Sequence, residues 1–221
     1  MIPDNTPPID SACAARLLLR AHRYGALSTL SRKFDGHPFG SITPYLTDHD
    51  GSLLILISDL AEHTKNIKAD PRVSLITHNQ EDTHIQAQGR VTVVGTAAHI
   101  ADRDGAGKRY LRYFPEARTY FAMHDFQFYR IVPQAIRYIG GFGDIHWVNC
   151  ERYLLPTYPL QQEEEGLLEE LNASRTEAQG LLIGIDCDGY DVKETAGLRR
   201  WNFEQALTDS AEVRPRLLMG K

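Results

Sequence analysis

The sequence predicts an α+β protein: a small antiparallel β-barrel of six or seven strands with flanking helices, followed by a small C-terminal α+β domain. Three observations predict it. The segment His84–His99 alternates strictly, with Ile85, Ala87, Gly89, Val91, Val93 and Gly95 on one face and Gln86, Gln88, Arg90 and Thr92 on the other, the period of a half-buried strand. Two apolar runs, LLILI (Leu53–Ile57) and VSLIT (Val73–Thr77), flank one short helical stretch. Composition shifts at Gly141–Pro159, a linker signal, and beyond it Asp188-Gly189 separates two apolar runs as a hairpin turn does.

Taken in order, residues 1–10 are expected to be a loose tail, rich in proline. Ser11–Arg23 recurs at helical spacing through Ala15, Leu18, Leu19 and His22, and Gly25 is expected to end it. Gly25–Ser31, Phe39–Thr47 and Ser52–Ile57 are the first three strands. In the next helix Asp59 is the expected cap, with Glu62 three residues on. Leu60, Thr64 and Ile67 share its buried face, and Pro71 stops it. Val73–Thr77 and the long alternating strand follow, then a helix, Asp102–Tyr113, capped by Asp102. Asp125–Ile131 and Ala135–Gly140 read as two strands separated by Pro133. This makes 11–150 the barrel. The C-terminal domain, 160–221, contains a helix at Glu163–Ala173, the hairpin Leu181–Asp186 and Tyr190–Glu194, and a closing helix at Phe203–Arg214.

A hydrophobic content of 42% in 221 residues supports a globular core. A net charge of −5 argues against nucleic acid, which needs a basic footprint. No apolar run reaches the length of a membrane span, about 18 residues. Cys13, Cys150 and Cys187 form no metal-binding spacing. With no leader-like N-terminus, they point to a reducing cytoplasm. Asp186, Asp188 and Asp191 surround a turn without the EF-hand spacing. His78 and His84 flank a polar loop, so their default place is the surface. Arg109, Tyr110, Arg112, Tyr113 and Phe114 make an aromatic–basic helix face, read as packing its rings on the barrel.

The candidate chemistry gathers where the third strand turns into the short helix. Ser58, His63, Thr64, Lys65 and Asn66 crowd the helix start, where backbone N–H groups and the dipole favour an anion; Asp59 and Glu62 count against one.

In order and spacing, GALSTL (Gly25–Leu30), PFGSITPY (Pro38–Tyr45), SDLAEHTKN (Ser58–Asn66), DPRVSL (Asp70–Leu75), GRVTVVG (Gly89–Gly95), RYLRYFPEA (Arg109–Ala117), HDFQFYRI (His124–Ile131) and GGFGDIHW (Gly140–Trp147) resemble the pyridoxamine 5′-phosphate oxidase-like, FMN-binding split-barrel proteins, and most of all their haem-utilisation branch. The resemblance implies a split β-barrel homodimer with a planar cofactor at the subunit interface. In the FMN-binding oxidases an arginine and a lysine hold the FMN phosphate; Ser41 and His63 stand at those positions here, and Arg90 stands where a cofactor-contacting glutamine lies. The implied FMN contacts are Ser41, Ser58, His63, Thr64, Asn66 and Arg90. The haem-degrading members resemble this chain at Asp125, an acid that in them supports the iron's histidine ligand. The corresponding ligand loop, Glu163–Leu167, has no histidine, and Glu170–Arg175 lacks the two histidines with which the branch's C-terminal domain opens. His146, and after it His124, are the substitutes on offer.

Three alternatives follow from the resemblance. The leading one is an FMN-binding, flavin-dependent oxidoreductase of unknown substrate. The second is a haem-binding or haem-degrading protein, and the third is a non-catalytic regulatory module.

Overall fold

The computed structural model describes residues 10–79, 84, 86–156 and 159–219. Residues 1–9 of the predicted tail lie outside them. The barrel sheet contains β1 (Tyr24–Leu30), β2 (Pro38–Pro44), β3 (Leu46–Thr47), β4 (Leu53–Ser58), β5 (Arg72–His78), β6 (Arg90–His99), β7 (Phe126–Gly141) and β8 (Asp144–Val148). Seven of them run in the order β2-β1-β5-β6-β7-β4-β3, and β8 pairs with β7. Every pairing in the sheet is antiparallel. The sheet curls around Leu27, Leu53, Ile55, Leu75, Val91, Val93, Ile131 and Ile136, all at most 1% exposed or sealed from solvent. Helix α1 (Ser11–Ala21) adds Ala12, Ala15, Leu18 and Leu19 to that core. Burial of a leucine such as Leu19 contributes about 1.5–3 kcal/mol.

Helix α2 (Glu62–Ala69) follows β4. Helix α3 (Arg103–Tyr113) is capped by Asp102, which accepts from Gly105 N at 2.9 Å, and packs Tyr110, Tyr113 and Phe114 against Leu54, Leu56 and Phe128. The short helices α4 (Arg118–Phe121) and α5 (Cys150–Tyr153) flank β7 and β8. A second sheet, β9 (Leu181–Asp186), β10 (Gly189–Glu194) and β11 (Gly197–Asn202), is covered by α6 (Pro159–Asn172) and α7 (Ser210–Met219) around Leu160, Leu167, Leu182, Ile185 and Val213.

Several expectations change in detail. Gly25 lies inside β1 and does not end α1. The predicted second strand breaks at Tyr45, which is fully buried and donates its hydroxyl to Leu19 O at 2.9 Å. Asp59 does not cap α2: the N-cap is Ala61, Asp59 pairs with Lys68 at 2.8 Å, and Leu60 is 75% exposed. The long alternating strand starts only at Arg90, because Gln86–Gln88 form a turn closed by Ala87 N on His84 O. Pro133 interrupts nothing. It stands opposite Gly95 at a bulge, where its missing N–H costs no regular ladder bond, so β7 continues through it. The supposed linker contains β8 and α5. Residues 203–207 form a non-helical segment held to the hairpin turn, Phe203 N on Asp188 O and Leu207 N on Cys187 O, and the last helix begins only at Ser210.

Candidate functional site

Alternation along the strands decides which predicted residues meet. Ser41 is opposite Leu27, Leu27 opposite Leu75 and Leu75 opposite Val93, all on the inner face. His63 reaches that side from α2 and places Nδ1 3.2 Å from Ser41 Oγ. The two residues at the phosphate-binding positions of the oxidases are therefore in contact. Burial lowers the pKa of His63, so the imidazole is neutral at neutral pH and supplies no cation for a phosphate. Asn66 is wholly buried: Oδ1 accepts from Arg32 N at 3.0 Å and Nδ2 donates to Thr29 Oγ1 at 3.0 Å. Thr64 is also wholly buried, and its Oγ1 has no partner among the described residues. Ser58 donates to Asp125 Oδ2 at 2.7 Å and accepts from Leu60 N.

Arg90 does not join them. It lies three residues from Val93 on β6, an odd step, and so projects from the opposite, outer face of the sheet. His146 faces Tyr138 across the β7–β8 ladder, roughly 40 Å of extended strand from Asp125 at about 3.3 Å per residue, and its Nε2 pairs with Asp144 Oδ1 at 2.6 Å. Within one chain His146 cannot be the iron ligand that Asp125 supports. His124 is exposed beside Asp125 and accepts from Gln127 through its carbonyl oxygen.

The outer face holds what the motif-by-motif reading missed. One row across six strands runs Ile42, Ala26, Ile76, Thr92, Arg137, Trp147. The next row runs His78, Arg90, Ile139, Ile145. Ile42 is 74% exposed and Trp147 67%, with Ile76, Val94, Val132 and Ile145 exposed beside them. At the β7–β8 tip Phe142 is completely exposed. A contiguous apolar face of this extent marks an interaction site. Its cations are Arg90 and Arg137; the Arg137 guanidinium lies 5.0 Å over the Trp147 ring and has no ion pair among the described residues. The signal was available in the sequence as the outward-facing alternate residues of each strand, but only the register aligns them.

A second polar centre joins the two sheets. Arg16 and Arg20 of α1 bond Asp188 at 3.0 and 2.9 Å, Arg200 bridges Asp186 and Asp191 at 2.7 and 2.9 Å, and Arg109 and Arg112 hold Glu164 at 3.2 and 2.6 Å. Burial opposes ionisation of Asp186, Asp188 and Glu164, but the guanidiniums outweigh it and hold all three carboxyls below the usual range. Asp186, Cys187 and Asp188 cluster tightly enough for a metal ion. They do not fit one: their carboxylates are taken by arginines, and burial pushes the Cys187 thiol up to about 12.

Comparison with known proteins agrees with this geometry. The description "CREG, beta-barrel" matches residues 6–155. The chain is 30% identical over 202 residues to the "Non-canonical heme oxygenase HOZ, chloroplastic" of Arabidopsis thaliana, covering 81% of this chain and 62% of that protein. It thus spans less than two thirds of that relative. It is 26% identical over 125 residues to "Heme oxygenase HutZ" of Vibrio cholerae, covering 52% of this chain and 68% of that one. A solved structure of a protein of unknown function from Agrobacterium tumefaciens superposes with a TM-score of 0.81 at 24% identity, over 99% of both chains. A heme binding protein from Mycobacterium smegmatis does so with 0.63 at 23%, over 96% of both. At such identities the two structures establish the fold alone. Among the described residues, no helix is long and apolar enough to cross a membrane.

Proposed function

The chain belongs to the CREG β-barrel family, with the split barrel and haem-utilisation relatives that its motifs resemble, and from that premise we propose that it binds haem and acts in haem breakdown as a homodimer. The observation that carries the proposal is the outer sheet face. Ile76, Val94, Ile145 and Trp147 offer an apolar wall, and Arg90 and Arg137 stand within it as cations. An apolar disc with acidic groups on its edge is complementary to such a face. A second copy meeting this face would sequester both the ligand and the exposed side chains Ile42 and Phe142. A relative named as a haem oxygenase, matched over 81% of this chain, supports the same reading.

Bound haem supplies the iron chemistry. The chain's own residues supply an apolar wall that excludes water and guanidiniums that orient acidic groups.

FMN, the leading expectation from the sequence, has weaker support. At the phosphate positions the serine is neutral, the histidine is held neutral by burial, and Asn66 is wholly buried with its nitrogen on Thr29 Oγ1. Titration of the purified chain with haemin, followed at the Soret band, tests the proposal. A saturable shift in the band is expected; an unchanged spectrum beside clear flavin uptake would reverse the order of the two readings.

A further inference from the structure

We propose that His78 is the iron ligand of this chain, an assignment that rests on the haem reading and goes beyond it. The loop that carries the family ligand contains no histidine here, His146 shares the inner face with Tyr138 and Val91, and His124 lies before β7 begins, away from the outer face. His78 is the last residue of β5, shares the outer face with Ile76, and stands directly opposite Arg90. It is half-buried, so the ring is partly shielded without being sealed off.

Its hydrogen bonding prepares one nitrogen for a metal. Nδ1 lies 2.6 Å from the backbone oxygen of Asn79. A carbonyl oxygen only accepts, so Nδ1 carries the proton, and in the neutral ring Nε2 then keeps its lone pair. Nε2 has no partner among the described residues. Donation from one ring nitrogen to a carbonyl, with the other left bare, is the arrangement that orients iron- and zinc-binding imidazoles. The orienting residue is itself anchored: Asn79 N donates to Gly89 O at 2.9 Å, and Asn79 Oδ1 lies 2.8 Å from His22 Nε2. Three other histidines offer less. His146 and His49 have Nε2 against Asp144 and Glu164, and His63 projects on the inner face.

The neighbourhood suits the rest of the ligand. Ile76, Ile139 and Ile145 are apolar neighbours on the same face. Arg137 lies two strands away, roughly 10 Å at the spacing of paired strands, within reach of acidic groups on a porphyrin edge.

Resonance Raman and EPR spectra of the full chain loaded with haemin test the assignment. The wild-type complex is expected to show a histidine-ligated iron. His78→Ala should remove that signature and weaken haemin binding by at least about tenfold, and added imidazole should restore the signature. His78→Met should replace nitrogen ligation by sulfur. His124→Ala and His146→Ala should leave the spectrum unchanged. A histidine signature that survives in His78→Ala, or a wild-type complex with no histidine on the iron, overturns the assignment while haem binding stands. Failure of the wild type to take up haemin at all removes the haem reading and the assignment with it.

Discussion

Arg20 Nε donates to Asp188 Oδ2 across 2.9 Å, although the two residues are 168 positions apart. The bond ties the first helix to the turn of the C-terminal hairpin, and neither side chain is more than 2% exposed. Asp188 also receives Arg16. Removal of one carboxylate therefore leaves two guanidiniums short of a partner in a buried site. Asp188→Ala is expected to lower the unfolding free energy by about 3–5 kcal/mol, read from urea midpoints. A loss below about 1 kcal/mol would show that the two sheets do not depend on this centre.

His63 gives the fold a pH dependence of known sign. Burial sets its folded pKa below the unfolded value, about 6.5. Above pH 6.5 neither state binds the proton. As pH falls from there through the lower folded pKa, the unfolded chain takes up a proton that the folded chain resists, and stability falls. Melting temperature should thus decline between pH 7 and pH 5, and less steeply in His63→Gln. Parallel slopes in the two proteins would contradict the assignment.

Gly184 lies against Tyr113, and a Cβ added there would run into the phenol oxygen. That hydroxyl donates to Asp191 Oδ2 at 2.8 Å. Gly184→Ala should cost about 1–3 kcal/mol, the usual scale of overpacking. At Gly40 an added Cβ meets nothing within 4 Å, so Gly40→Ala serves as the matched control and should leave the thermal midpoint nearly in place.

The outer sheet face is expected to be the homodimer contact. A carboxylate placed there, in Ile76→Glu or Val94→Glu, should shift the mass measured by light scattering from dimer to monomer. The far-UV spectrum should be unchanged, because both positions are already exposed. A dimer that persists in the double variant would move the interface elsewhere.

The barrel was readable because strand burial alternates, and Val91, Val93 and Gly95 carry that pattern without help from the rest of the chain. Strand β8 was not, since Asp144–Val148 is exposed except at Val148 and its apolar side holds only Ile145 and Trp147, too short an alternation to mark a strand. The second sheet's hairpin was legible in Asp188-Gly189, but its acids passed for turn residues because their arginines lie far away in sequence. At the turn into α2, Ser41 and His63 met as their alignment implied, whereas Arg90 separated from them by the parity of one strand. His78 passed for a loop-flanking surface residue, because only the register shows what stands beside it.

The bond between Arg20 and Asp188 also bears on how a nascent chain matures. At about 5–20 residues per second, a ribosome needs roughly 10–30 s to travel between those two codons. Throughout that interval Arg16 and Arg20 have emerged without the carboxylate that neutralises them, so the first helix cannot settle into its final seat. The last partners of the first helix thus arrive only when translation has delivered the hairpin.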